Sequence, residues 1–226
     1  MSKDATSSKT AGSSKAVRQY HHGTLRSAML QAAEAVLCRE GLHGLTLRAI
    51  AREAGVSHTA SQHHFGDMAG VLSELAAIGH QRLAASMEGR AAGVTPEVER
   101  QLAIARGYID FVLANPDLFR LMSRNELLDA ARPSLVEACR ESARGLAGVF
   151  GVEAQDHPDT TNPFGRLSAD QAIAMTAAWG YVHGLASLLI DGHLKGLAAS
   201  SGAFADSRAL VDAVIDRMRL CIDTAR

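Results

Sequence analysis

Side chains able to do chemistry crowd the stretch Ser57–His64, where Ser57, His58, Thr59, Gln62, His63 and His64 set hydrogen-bonding groups almost without a break. With His21, His22 and His43, this end of the chain holds six imidazoles. A metal site does not follow. His58, His63 and His64 stand five and six residues apart, not at the i, i+4 spacing that puts two imidazoles on one helical face. Hydrogen-bonding chemistry does follow. Gln62 can pair bidentately with an adenine edge and Thr59 can meet a thymine methyl in a major groove. A second place of interest is Trp179 and His183, one helical turn apart in an apolar run. His183 is a polar group on an apolar helix and needs a partner: a ligand, a backbone carbonyl or a group across a dimer.

The first group needs an element to present it, and Leu47–Phe65 supplies one. Leu47, Ile50, Ala51 and Ala54 recur at i, i+3, i+4 and i+7, the apolar face of a helix. Thr46 is placed as its N-cap. Gly55 follows, where the turn demands a left-handed backbone, and Val56 plugs the angle. Ser57 then caps a second helix, His58 to about Phe65. This is a helix-turn-helix, whose second helix enters the major groove of DNA. His58, Thr59, Gln62 and His63 lie on its exposed part as base readers, with Ser57 at its start and His64 closing its end. Thr24, Arg26, Thr46 and Arg48 are candidates for phosphate positioning; Arg48 reads equally well as a solvated surface charge.

Around this motif the pattern is helical throughout. Apolar residues recur at helical spacing and only 5 of 226 residues are proline, so an all-α fold is expected. Residues 1–19, rich in Ser, Thr, Lys and Gly, read as a disordered tail, 20–75 as the helix-turn-helix domain and 76–226 as a second helical domain. Helix 1 is expected over about Thr24–Glu40, with Leu25, Met29, Ala32, Val36 and Leu37 inward and Gly41 ending it. A linking helix runs from about Asp67 to Glu88. The next starts with Thr95 as cap and Pro96 at the first helical position and faces Ile104, Tyr108, Phe111 and Val112 inward, stopping before Pro116. Further helices are expected at Pro116–Met122 and from Pro133 to about Phe150, then a loop over Gly151–Arg166. Ser168 caps a long helix ending at Asp191-Gly192, apolar nearly all round, which must be covered on several sides. With the last helix, about Asp206–Ala225, it can build a four-helix dimer interface across a two-fold axis. Leu185, Leu188, Leu210, Val214 and Met218 would line that interface. Gly180 and Gly184 would permit close helix approach there, or else accommodate bulky neighbours within one subunit.

Composition removes several function classes. The net charge of −1 rules out a generic polyanion binder. Residues 1–72 nevertheless hold eight Lys/Arg against five acids, a basic head on an acidic body. Cys38, Cys139 and Cys221 lie far apart with no CxxC pair, so buried, reduced thiols in a cytoplasmic protein are expected. Met1–Lys15 lacks the apolar core of a signal peptide. Ala177–Ile190, interrupted by His183, reads as too short to span a bilayer. No nucleophile elbow, phosphate-cradling glycine loop or HExxH appears, so neither an enzyme nor a cofactor is expected.

Tyr20–Leu75 resembles the DNA-binding domain of the tetracycline-repressor (TetR) family. The resemblance rests on Gly23-Thr24-Leu25-Arg26, Ala32-Ala33, Gly41, Thr46, Ile50-Ala51, Ala54-Gly55-Val56-Ser57 and His64-Phe65. Phe111–Met122 and Trp179–Leu194 look like the ligand-binding and dimerisation domain of a subgroup with a Trp/His/Gly signature, here Trp179, His183 and Gly184. The resemblance implies a cytoplasmic homodimeric repressor, released from a palindromic DNA operator by a small apolar or amphipathic effector, with no membrane partner. It also implies an effector pocket, for which Tyr108, Phe111, Phe119, Met122, Met175, Trp179 and His183 are the candidates; core packing is the alternative for each.

Ser61, Gln62 and Met68 stand where that family's pattern has an apolar residue, a Tyr and a Lys. Met68 cannot neutralise a phosphate, so a degenerate member that binds ligands or partners with little DNA affinity is the alternative function. Met68→Lys is expected to raise DNA affinity at low salt without changing base preference. The slope of log K against log salt should steepen by about 0.9 per subunit contact regained; an unchanged slope in an anisotropy titration refutes the phosphate argument.

Overall fold

The computed structural model describes residues 11–57, 65–148 and 167–217. Among them are nine α-helices, one 3-10 turn and no strand, an all-α fold as expected. The second helix of the motif falls outside the described residues, with His58, Thr59, Ser61, Gln62, His63 and His64. So do the expected loop Gly151–Arg166, Cys221 and Met218. The chain divides into two compact units, with the boundary between Val71 and Leu72.

In the first unit α1 (Ala11–Gly44) begins well before the expected Thr24. It takes in part of the tail expected to be disordered. The Ser, Thr and Gly that carried that expectation lie mostly before Lys15, whereas Lys15-Ala16-Val17-Arg18-Gln19 contains good helix formers. Gly41 breaks α1 with φ 68 and ψ −173, a left-handed conformation that costs glycine least. The α1 face Met29, Ala32, Val36 and Leu37 is buried, while Leu25 is half-buried. Cys38, on the opposite face, is exposed, not buried as expected. Thr46 accepts a hydrogen bond from the Ala49 N–H at 3.1 Å and starts α2 (Leu47–Glu53), which buries Ile50 and Ala51. Gly55 turns the chain with φ 65. Arg39 of α1 reaches Glu53 of α2 at 2.8 Å.

The second unit is built on α3 (Met68–Ala91) from Leu72 onward, α4 (Glu97–Ala114), α5 (Pro116–Met122), α6 (Pro133–Ala147), α7 (Ala169–Ile190), α8 (Lys195–Ser201) and α9 (Ser207–Arg217). Pro96 sits at the cap position of α4, one residue earlier than expected, because its ψ of 178 is extended and outside the helix. Ser168 and Gln171 form a reciprocal capping box at the start of α7. Helix α8 was not expected; Gly196 inside it and Gly202 behind it obscure so short a segment. Asp206 caps α9 by accepting from the Ala209 N–H at 2.8 Å.

The core of this unit joins α3, α4, α5, α6, α7 and α9. Ile104, Tyr108, Phe111 and Val112 of α4 are all buried, as their spacing predicted. Helices α3 and α4 come together at Gly107: Ser86 donates to the Gly107 carbonyl at 2.8 Å. A Cβ there would lie 2.6 Å from the Ser86 carbonyl oxygen and 2.7 Å from Met87 Cα. Asp110 takes Arg90 of α3 at 2.6 Å and Arg208 of α9 at 2.7 Å, fastening both to α4. The segment after α5 is held on α3 as well. The Asp129 N–H donates to Ser73 at 2.8 Å, and Arg132 meets the buried Glu74 at 2.7 Å.

Gly107→Ala is expected to cost about 1–3 kcal/mol, because backbone atoms would have to move. Gly89→Ala, on the exposed side of α3 with nothing within 4 Å, should instead gain up to about 1 kcal/mol. Urea midpoints of the two variants against the parent check the pair; equal midpoints would mean the helices tolerate a wider crossing.

Candidate functional site

In the first unit the turn after α2 delivers Ser57, which is exposed, to the point where the expected reading helix begins. Thr46, a positioning candidate, spends its hydroxyl on the cap of α2 but is itself exposed. Arg48 is exposed on α2, one turn from the exposed Arg52. Arg26 lies with its guanidinium 5.7 Å from the centroid of the buried Phe65 ring, a cation–π contact. The Thr24 side chain lies outside the described set.

The second unit contains a cavity of about 630 Å³, within the range of small-molecule sites. Helix α3 supplies His80 and Leu83, α4 Tyr108, α5 Phe119 and Met122, and α7 Trp179 and His183. The segment after α5 and one face of α6 close the remainder. Five of the seven pocket candidates therefore line one cavity. Phe111 and Met175 do not. Phe111 is fully covered in the core, and Met175 packs with Ala143 and Ala147. Among the lining residues not foreseen are the polar His80, Ser123, Asn125 and Ser142 and the thiol of Cys139. His80 and Ser142 stand 62 positions apart on different helices, and nothing in either local pattern pairs them.

Two hydrogen-bonded groups interrupt the apolar wall. His80 Nδ1 lies 2.8 Å from Ser142 Oγ, and Ser142 donates to the Cys139 carbonyl at 3.1 Å. The Tyr108 hydroxyl lies 3.1 Å from His183 Nδ1. His183 packs against Phe119 with ring centres 4.8 Å apart. The partner that His183 needs is thus a phenol of its own chain.

None of the lining residues is Asp, Glu, Lys or Arg. Burial pushes His80 down to about 4 and also lowers His183. Burial raises the Tyr108 phenol, with the neighbouring Trp179 indole opposing it, and pushes the Cys139 thiol up to about 11. At neutral pH the whole lining is uncharged. Among the described residues no cluster of His, Cys, Asp or Glu could hold a metal ion.

Along α7 the interface candidates divide. Leu185, with Leu210 of α9, packs against the core of its own chain, whereas Gly180 and Leu188 are exposed and Gly184 and Val214 are half-buried. A Cβ on Gly180 or Gly184 would meet nothing within 4 Å, so bulky neighbours among the described residues do not account for these glycines. Ile173 and Trp179 are also exposed, at 62% and 48%. At 22 residues α7 is long and apolar enough to cross a membrane by length and composition, so shortness does not exclude a span as expected. The apolar helix counts from Ala169, not from Ala177.

His80 generates a pH dependence. Its pKa of about 4 in the fold lies below 6.5 in the unfolded chain, so the unfolded chain takes up the proton first. Stability is complete above about pH 6.5 and falls towards pH 4, by up to about 3 kcal/mol from this group. His80→Gln, which retains a hydrogen-bonding group for Ser142, should lose less over the same window in urea denaturation. Equal losses in the two proteins would assign the titration elsewhere.

Comparison with known proteins agrees with this architecture. Residues 29–75 match the model of bacterial regulatory proteins of the tetR family, and residues 102–218 match that of the tetracyclin repressor-like C-terminal domain. A protein of unknown function from Rhodococcus sp. RHA1 is 34% identical, with a TM-score of 0.65 over 87% of this chain and 94% of that one. The TetR-family transcriptional regulator PfmR from Thermus thermophilus has the same fold at 16% identity, with a TM-score of 0.54 over 83% and 94% of the two chains. No curated protein matches. With both halves of the architecture matched in order, the chain belongs to the TetR family of transcription regulators.

Proposed function

We propose that this protein is a cytoplasmic homodimeric repressor that binds a palindromic DNA operator and leaves it when a small apolar or amphipathic effector fills the cavity of its second unit. The observation that carries the proposal is that cavity, uncharged and of ligand size, with His80 and Leu83 of α3 in its wall. Helix α3 starts at Met68, a few residues after the expected reading helix. A ligand that favours one placement of α3 over another biases DNA binding, and by linkage DNA biases ligand binding equally. DNA contact falls to Ser57, His58, Thr59, Gln62, His63 and His64, with Thr24, Arg26, Thr46 and Arg48 on phosphates. The exposed apolar stripe of α7, together with α9, fits a second copy across a two-fold axis.

A second reading, a ligand-binding module with little DNA affinity, rests on Ser61, Gln62 and Met68 in a motif that elsewhere matches its family. Selection of genomic fragments by the purified protein, then anisotropy at two salt concentrations, separates the two. A palindromic winner with steep salt dependence supports the repressor, and no enriched fragment from a folded dimer supports the module. Leu188→Glu, at an exposed site of α7, should give folded monomers in sedimentation that no longer hold the operator. A persisting dimer would place the interface elsewhere.

A further inference from the structure

The two histidines of the cavity are held in opposite tautomers. A serine hydroxyl has one proton, and the Cys139 carbonyl can only accept. Both contacts of Ser142 are hydrogen bonds only if its proton goes to Cys139 and His80 Nδ1 donates to Ser142 Oγ. His80 Nε2 is then a bare acceptor. On the other wall the Tyr108 hydroxyl has His183 Nδ1 as its hydrogen-bond partner among the described residues. The phenolic proton, buried with Tyr108 at 4% exposure, is satisfied only by passing to His183 Nδ1. His183 Nε2 therefore carries the proton and is a donor. Among the described residues neither Nε2 has a protein partner, and neither is one of the buried atoms left unpaired. Each opens on free space, and the space both rings line is the cavity.

We propose that the cavity takes an uncharged, mainly apolar molecule bearing both a hydroxyl, which donates to His80 Nε2, and a carbonyl, which accepts from His183 Nε2. This rests on the effector reading above and deepens it. Charged ligands are excluded because no ionised side chain lines the site and an unpaired charge is costly to bury. The two relays fix which end is which. Exchange of donor for acceptor at either histidine would set lone pair against lone pair or proton against proton.

Trp179 is the only tryptophan of the chain and lies on the cavity wall, so its fluorescence reports occupancy. The probe is a phenyl ketone carrying a flexible ten-carbon chain that ends in a hydroxyl. It is compared with the same molecule lacking the hydroxyl, with a methylene in place of the carbonyl, and with a terminal carboxylate. The full-length protein should bind the hydroxy ketone saturably and each single-deletion analogue roughly fivefold to tenfold more weakly. The carboxylate should bind at least about a hundredfold more weakly. His80→Leu should bind the hydroxy ketone no better than the analogue without the hydroxyl, with no further loss between the two. Equal binding of all three uncharged molecules, preference for the carboxylate, or no binding by any of them overturns the proposal. The ligand-side comparison needs no variant and so survives a misfolded His80→Leu. Saturable, selective binding that leaves operator affinity unchanged would instead overturn the effector reading and leave this ligand class in place.

Discussion

The contact on which the second unit depends is the approach of α3 and α4 at Gly107, close enough that only a hydrogen atom fits between them. Ser86 seals it by donating to the Gly107 carbonyl. Tyr108 follows Gly107 directly, and Leu83 lies one turn before Ser86 and Met87. The crossing thus brings one wall of the cavity against another. Asp110, one turn on, fastens the same pair through Arg90 and adds α9 through Arg208. Packing fixes the crossing, and the two ion pairs add ties from α4 to α3 and α9. The space left between the helices beyond it is the part of the molecule free to serve a ligand.

That space was legible in the sequence only as far as local rules reach. Caps and turns are local, so Thr46, Gly55, Ser168 and Gly192 act where their types placed them. A helical apolar face is also local, and Ile104, Tyr108, Phe111 and Val112 are buried together. Burial and cavity lining, however, carry the same signature. Tyr108 and Phe111 share a face three residues apart, yet one lines the cavity and the other fills the core, because the difference is made by what α5 and α7 bring against them. His80 and Ser142 were invisible for the same reason. Each looks like an ordinary polar position on its own helix until the fold sets them 2.8 Å apart.

Helix α7 shows the opposite case, where pattern announced more than one chain can satisfy. Its apolar residues run nearly all round, and the fold buries Ala174, Met175, Ala178, Val182 and Ala186 while Ile173 and Leu188 are exposed and Trp179 is half-exposed. Three of the five buried residues are alanines, while an isoleucine, a tryptophan and a leucine are exposed, the reverse of a helix designed to stand alone. The same feature gives α7 the length and apolarity of a membrane span, so hydropathy by itself does not separate the two origins.

Cys139 gives the cavity a property of another kind. It lines the space where a ligand would sit, but burial pushes its pKa up to about 11, so the sulfur stays a thiol at neutral pH. A carbonyl compound, even an electrophilic one, would meet a sulfur that does not attack it. On the effector reading, occupancy then follows concentration and reverses when the compound is gone, which makes the chamber a gauge and not a fuse.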